Sequence, residues 1–427
     1  MITNASRGLL SRAATVSGAT RIVANASAES CAVSATRQCL PARASSHWAG
    51  YEMGPPDPIV GLNEAFGHDD FENKVNVGVG AYRGDEGRPF VLPVVRKAEE
   101  MMQGHHLDHE YLPIAGDPIF VKLATEFAYG KDSAPIAEGR LAAVQSLSGT
   151  GGLRVFGEFL KKGGHEHIYV PDPTWGNHIP IMRNSGLEVR KYSYYDVDTS
   201  GLNFEKMMAD IKDMPAGSCI LLHACAHNPT GMDPSPEQWA EISKAVKDYK
   251  LVPFFDCAYQ GFASGNAPKD AEAIRMFVEE GHNIALVQSF SKNFGLYGQR
   301  VGALSVVCAD PEEAKRVTSQ LKITIRPMYS NPPKHGAHIV RTILGDEALT
   351  AEFIDECKGM ADRINDMRVR LRENLEQVGS TRNWEHITKQ IGMFAYSGMN
   401  KDQVMAIREK HHIYCTLDGR ISMAGVT

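Results

Sequence analysis

Three short runs in this chain combine residue types that can do chemistry. In Ser289-Phe290-Ser291-Lys292-Asn293-Phe294-Gly295 a lysine follows an apolar stretch and is flanked by hydroxyls and aromatic rings. Partial desolvation there lowers an ammonium pKa towards the range of an amine nucleophile able to form a Schiff base. Asp256 closes the apolar run Val252-Pro253-Phe254-Phe255. A carboxylate so placed must find a cationic or strongly donating partner, such as a protonated pyridine nitrogen, or take up a proton. Tyr259 stands three residues on and can turn its phenol to the same pocket. Ser148-Gly149-Thr150-Gly151-Gly152, between a predicted strand and a predicted helix, offers free backbone N–H groups and a helix dipole, a cradle for phosphate. It lacks the lysine of a P-loop and is not a G-x-G-x-x-G fingerprint. Each run also has a plainer reading: a solvated loop lysine, a helix-capping aspartate, a structural turn. Arg300 and Arg420 occur in Gln299-Arg300-Val301-Gly302 and Gly419-Arg420-Ile421, and Arg326 precedes Pro327. Guanidinium groups bind phosphate and carboxylate bidentately, so several in one cleft would suit a phosphorylated cofactor and a dicarboxylate substrate.

Those runs need a scaffold. Between 141 and 309, β-rich stretches at 141–147, 168–170, 187–195, 219–225, 251–255, 284–290 and 301–307 alternate with helical patterns at 152–161, 204–214, 236–249 and 270–280. This repetition predicts an α/β fold with a large, doubly wound, mostly parallel sheet covered by helices on both faces. Ligands of such sheets bind at the carboxyl ends of strands, where the three runs fall. Farther on, Phe353, Cys357, Met360, Ile364, Met367, Leu371, Leu375 and Val378 recur at steps of three and four, one face of a long helix bridging two domains. The tail reads as a strand at 393–396, a helix at 402–410 and a strand at 413, a smaller α+β domain completed by residues from about 48 to 88.

Composition excludes several classes. The 427 residues are 43% hydrophobic and 22% charged, the balance of a folded globular protein. A net charge of -6 without runs of like charge leaves no basic stripe for nucleic acid. Eight cysteines without C-x-x-C pairs give neither a zinc pattern nor a disulfide framework, so no metal is expected. No stretch approaches the roughly 18 apolar residues of a membrane span, so no integral membrane segment is expected. Residues 1–46 carry five arginines, no lysine and a single acid, Glu29, among many Ala, Ser and Thr. An organellar transit peptide has this composition, and we read it as mitochondrial; a disordered cytosolic tail is the plainer alternative.

Taken together the motifs resemble those of the aspartate aminotransferases, pyridoxal-phosphate enzymes of the type I fold, in their mitochondrial form. The likeness runs from about Glu52 to Arg420. It is carried by Glu52-Met53-Gly54-Pro55-Pro56-Asp57-Pro58, Gly78-Val79-Gly80-Ala81-Tyr82-Arg83, Glu110-Tyr111-Leu112-Pro113-Ile114, Pro173-Thr174-Trp175-Gly176-Asn177-His178, His223-Ala224-Cys225-Ala226-His227-Asn228-Pro229-Thr230-Gly231, and 289–296. The resemblance implies that Lys292 holds pyridoxal phosphate as the Schiff-base amine and then acts as general acid and base. It implies Asp256 on the pyridinium nitrogen with His178 orienting it, Asn228 and Tyr259 on the ring oxygen, and Trp175 stacked on the ring. Ser148, Gly149, Thr150, Ser289, Ser291 and Arg300 match phosphate ligands, with Tyr111 reaching in from a second subunit. Arg420 matches the grip on the α-carboxylate, and Arg326, from the neighbouring subunit, the grip on the distal carboxylate; Gly80 and Asn331 flank that pocket. Two such forks select amino acids and 2-oxo acids with a second carboxylate over neutral ones.

The implied organisation is a transit peptide over 1–46, an N-terminal arm and part of the small domain over 47–90, a large cofactor-binding domain over 91–359, and the rest of the small domain over 360–427. The implied protein is a homodimer of the mitochondrial matrix with shared active sites. Family chains continue past the Gly-Arg-Ile segment into a closing helix, whereas this sequence stops at Thr427. Two other readings stay open here: a broader aromatic or kynurenine-type aminotransferase, and a non-catalytic lipid-associated binding protein. Retention of Lys292 and both arginines speaks against the second.

Overall fold

The computed structural model describes residues 46–54, 60–84, 86–104 and 108–426. The expected transit peptide therefore lies outside the described residues, apart from Ser46. The chain divides into two units at Pro55/Pro56. Of the first, residues 47–50 form a turn, closed where Ala49 N donates to Ser46 O at 3.0 Å.

The second unit is built on a seven-stranded sheet of β1 (Leu141–Leu147), β2 (His167–Asp172), β3 (Glu188–Ser193), β4 (Cys219–His223), β5 (Val252–Cys257), β6 (Ala285–Ser289) and β7 (Val301–Val307). Their spatial order is β1-β7-β6-β5-β4-β2-β3. All neighbours pair in parallel except β7, which runs antiparallel to both β1 and β6. The expected doubly wound, mostly parallel sheet is present, and β1 and β7 match their expected bounds to the residue.

Every residue of β4 and β6 is buried, as strands covered on both faces require. Alternation divides the core. Leu221, Phe254 and Val287 pack with Leu153, Val155 and Phe156 on one face, while Leu222, Phe255 and Leu286 pack with Trp239 and Phe277 on the other. Each such side chain contributes about 2 kcal/mol on full burial.

Helix α1 (Ser148–Lys162) starts directly at the end of β1, four residues before the expected start, so the glycine-rich run is its first turn rather than a loop. Gly152 explains the close seat on the sheet: a Cβ there would lie 2.9 Å from Val287 Cγ1. Helix α2 (His178–Asn184) follows β2, and α3 (Pro311–Tyr329), capped by Asp310, follows β7. Helix α4 (Glu347–Gln377) begins where Asp346 accepts from Ala348 N and Leu349 N. It buries Phe353, Cys357, Met360 and Ile364 on the expected face. Val378 departs from that stripe: it follows the last turn and is 80% exposed.

Two strand pairs gather the remaining chain. Phe394–Tyr396 pairs antiparallel with Arg420–Ser422, and Val75–Asn76 pairs in parallel with Ile413–Tyr414. Among the described residues no helix is long and apolar enough to cross a membrane, and no cluster of His, Cys, Asp and Glu could hold a metal ion.

Candidate active site

The carboxyl edge of the sheet carries a cavity of about 250 Å³. Because β7 is antiparallel, its first residues lie at that edge beside the last residues of β1 and β6. Val301 is opposite Leu147 and Gly302 opposite Ser289. Arg300 thereby arrives next to Ser148 and Ser291, from three separate parts of the sequence. Gly80, Ser148, Gly149, Thr150, Trp175, Asn228, Asp256, Tyr259, Ser289, Ser291, Lys292 and Arg300 all line this cavity.

Asp256 lies within β5, in register with His223 on β4, and so does not cap a helix. Its Oδ2 accepts from His178 Nε2 at 2.9 Å, and Thr174 Oγ1 holds the other ring nitrogen at 2.8 Å. Its Oδ1 is buried without a hydrogen-bond partner among the described residues. Burial pushes the Asp256 pKa up, but the His178 hydrogen bond, with electrostatic help from Lys292, outweighs it and holds the carboxyl below its usual value. An ionised oxygen facing a cavity without a donor is a place for a ligand N–H.

Lys292 shares the cavity, its Nζ 5.5 Å from the centre of the Tyr259 ring. Burial lowers its pKa; Asp256 opposes that, while Arg300 and Arg420 push it down further. The lysine is therefore partly desolvated, as its sequence setting suggests. Burial raises the Tyr259 phenol well above its usual range, Arg420 opposing.

Ser148 Oγ lies 3.0 Å from Ser289 Oγ and 2.8 Å from Ser291 Oγ, and Arg300 Nη1 reaches Ser291 Oγ at 3.4 Å. These hydroxyls gather over the first turn of α1, beside Gly149, whose missing side chain leaves the amides accessible: a Cβ there would crowd Ser289 Cβ at 3.2 Å. Hydroxyls, helix N-terminus and guanidinium together make an anion cradle.

Arg420 borders the same space. It is buried, donates to Asn228 Oδ1 at 3.2 Å and Gly78 O at 3.0 Å, and stacks 4.0 Å over the Phe394 ring. Its guanidinium hydrogen bonds go to an amide oxygen and a backbone carbonyl, while Asp418 Oδ1 accepts from its backbone N at 3.4 Å, so among the described residues the buried guanidinium has no hydrogen-bonded carboxylate and is ready for an anionic ligand. Gly80 leaves room at this wall: a Cβ would lie 2.8 Å from Phe394 Cζ.

Four expected residues stand elsewhere. Tyr111 is 81% exposed, and with Asn331 it lines a neighbouring cavity of about 1060 Å³ that shares Arg300 with the first. Arg326, on the last turn of α3, is exposed and donates to Ser330 Oγ at 2.6 Å. His178 sits behind Asp256 rather than on the cavity wall. Sequence reasoning missed Thr174, His223 and Tyr297. Thr174 Oγ1 also lies 3.3 Å from His223 Nε2, and burial together with the His178 charge holds His223 at about 3, hence neutral. Tyr297 lines the cavity and accepts from Tyr82 N at 2.9 Å. The pair His223 and His227 in one quoted motif was a signal of such a network.

Known proteins are similar to this chain in sequence and in fold. A family model described as "Aminotransferase class I and II" matches residues 72–427. The mitochondrial aspartate aminotransferase of Xenopus tropicalis is 53% identical over 400 residues, covering 92% of this chain and 94% of that one. Among solved structures, an aromatic-amino-acid aminotransferase from Burkholderia pseudomallei, covalently bound to pyridoxal phosphate, superimposes with a TM-score of 0.87 at 42% identity, covering 90% of this chain and 96% of that one. A mitochondrial aspartate aminotransferase from Trypanosoma brucei gives 0.82 at 43% identity, covering 86% and 96%. A match over most of the sequence, a fold shared at this level and a relative more than half identical have one explanation: this chain belongs to the class I and II aminotransferases.

Proposed function

We propose that the chain is a pyridoxal-phosphate-dependent aspartate aminotransferase, exchanging an amino group between L-aspartate and 2-oxoglutarate. The observation that carries this reading is one cavity holding the desolvated Lys292, the ionised Asp256 with an unpartnered buried oxygen, and, at its border, the buried Arg420 guanidinium bonded to an amide oxygen and a carbonyl. The residues fit the cofactor: the orphan oxygen suits a ring N–H, and the cradle of Ser148, Gly149, Thr150, Ser289, Ser291 and Arg300 suits its phosphate. When bound, pyridoxal phosphate supplies an aldehyde carbon and an electron-accepting ring.

The chain's own groups do the rest. Lys292 Nζ would anchor the cofactor and move the proton at the substrate Cα. Asp256, fixed by His178, would keep a proton on the ring nitrogen, and Asn228, Tyr259 and Trp175, which line the same cavity, would hold the ring. Arg420 grips the α-carboxylate. Arg326 grips the distal carboxylate of a neighbouring copy's substrate, beside Asn331 and Gly80, and Tyr111 reaches that copy's phosphate. The exposure of Arg326 and Tyr111 supports this homodimeric sharing.

The relatives' mitochondrial names support reading 1–46 as a transit peptide and the matrix as the compartment. Pairing of Val75–Asn76 with Ile413–Tyr414 supports the reading of 47–90 as an N-terminal arm and part of a small domain, of 360–427 as the rest of that domain, and of 91–359 as the large one. The test is a coupled oxaloacetate assay on purified, cofactor-loaded protein. We expect turnover of aspartate with 2-oxoglutarate well above that of phenylalanine; preferential turnover of phenylalanine would favour the aromatic reading, and no turnover of either would overturn the proposal.

A further inference from the structure

Arg368, on the inner face of α4, is 1% exposed, and among the described residues it has no carboxylate partner. Its guanidinium instead donates to three backbone carbonyls of one segment: Ile387 at 3.0 Å, Gly392 at 2.8 Å and Phe394 at 2.6 Å. A buried cation is expensive, and an apolar side chain of similar volume would fill the space at lower cost. Its rigid fork does what no apolar group can, fixing three peptide planes at once.

The segment so fixed forms part of the wall around Arg420. On one side Ile391 N donates to Gly231 O at 2.8 Å, three residues after Asn228, and Gly231 has a φ of +65° with Ile391 O only 3.0 Å from where its Cβ would stand. On the other side Phe394 pairs with Ser422 and Tyr396 with Arg420. Phe394 joins the two functions: its carbonyl is held by Arg368, while its ring lies beneath Arg420 and against Gly80.

We propose that Arg368 is a positioning residue for the carboxylate grip, acting through Phe394 to set the height and tilt of Arg420. The inference rests on the aminotransferase reading above. Losing the fork leaves three carbonyls unpaired and frees the Phe394 backbone, so carboxylate binding weakens while proton transfer at Lys292 continues.

The test uses cofactor-loaded full-length Arg368→Lys and Phe394→Leu, the latter altering the relay without disturbing the buried cation. Both are expected to raise KM for aspartate and for 2-oxoglutarate about tenfold while kcat stays within about threefold and the visible absorption of bound cofactor is unchanged. In Arg368→Ala, where KM is likewise expected to rise, millimolar guanidinium is expected to bring KM part of the way back down. Unchanged KM values in Phe394→Leu, or in Arg368→Lys with only a lower thermal midpoint, would overturn the assignment, as would equal losses of kcat and kcat/KM at constant KM. An Arg368 variant that fails to fold leaves Phe394→Leu to decide. Failure of the wild-type protein to transaminate aspartate would instead sink the aminotransferase reading itself.

Discussion

Arg420 and Arg326 are both assigned to carboxylates, yet their surroundings are opposite. Arg420 is buried, braced by Asn228, Gly78 and Phe394. Arg326 is exposed at the end of α3, held by a single hydroxyl four residues away. On the proposed reading the contrast has a reason: one chain would build a finished binding half, with Lys292 and Asp256, and present a second half outward, since a group meant for another copy's cleft has to remain at the surface of its own.

The largest effect is expected from Lys292→Ala, which removes both the anchoring amine and the proton carrier. Activity should fall by about 10⁴-fold or more and the visible absorption of loaded protein should disappear; an unchanged spectrum would detach Lys292 from the finished half. Next, Arg326→Ala should lower kcat/KM for aspartate by on the order of 10²- to 10³-fold while leaving phenylalanine nearly untouched, because the distal carboxylate loses its partner. Equal losses for both substrates would erase the difference between the two arginines. Mixing the two inactive variants then tests the sharing directly: random hybrids contain one intact site, so about a quarter of wild-type activity should return. No recovery after subunit exchange would place Arg326 in its own chain's cleft.

The smallest effect concerns pH. Burial lowers the Lys292 pKa from 10.5, so in the cofactor-free protein the midpoint for reaction of Lys292 with a simple aldehyde should fall below that value. Between the folded and unfolded midpoints the unfolded chain binds more protons, so this lysine's contribution makes the apo protein more stable as pH rises through that window. A midpoint at or above 10.5 would contradict the desolvation of the inner half.

Much of the scaffold was readable because strands buried on both faces are continuous apolar runs, as in β4, β6 and most of β7. The start of α1 was not, since Ser148–Gly152 has poor helix propensity and forms a helix because Gly152 lets it rest on Val287. Asp256 read as lying beyond its strand because the apolar run stops at Phe255, whereas pairing with His223 carries β5 on to Cys257. Lys292, the Ser148 run and Arg300 were visible by type, but their meeting depends on the direction of β7, which residue pattern does not encode. Thr174 and His223 converge on His178 from different strand ends, a proximity set by sheet order.

The position of β7 also sets a timetable for synthesis. Among the described residues β1 is bonded to the rest of the sheet solely through β7, although more than 150 residues separate them in sequence. A nascent chain can pair β2 through β6 as they emerge, but β1 must wait at the edge until residues 301–307 have left the ribosome. Shortened chains ending before Val301 should therefore leave 141–147 as an unpaired apolar strand, a natural target for chaperones.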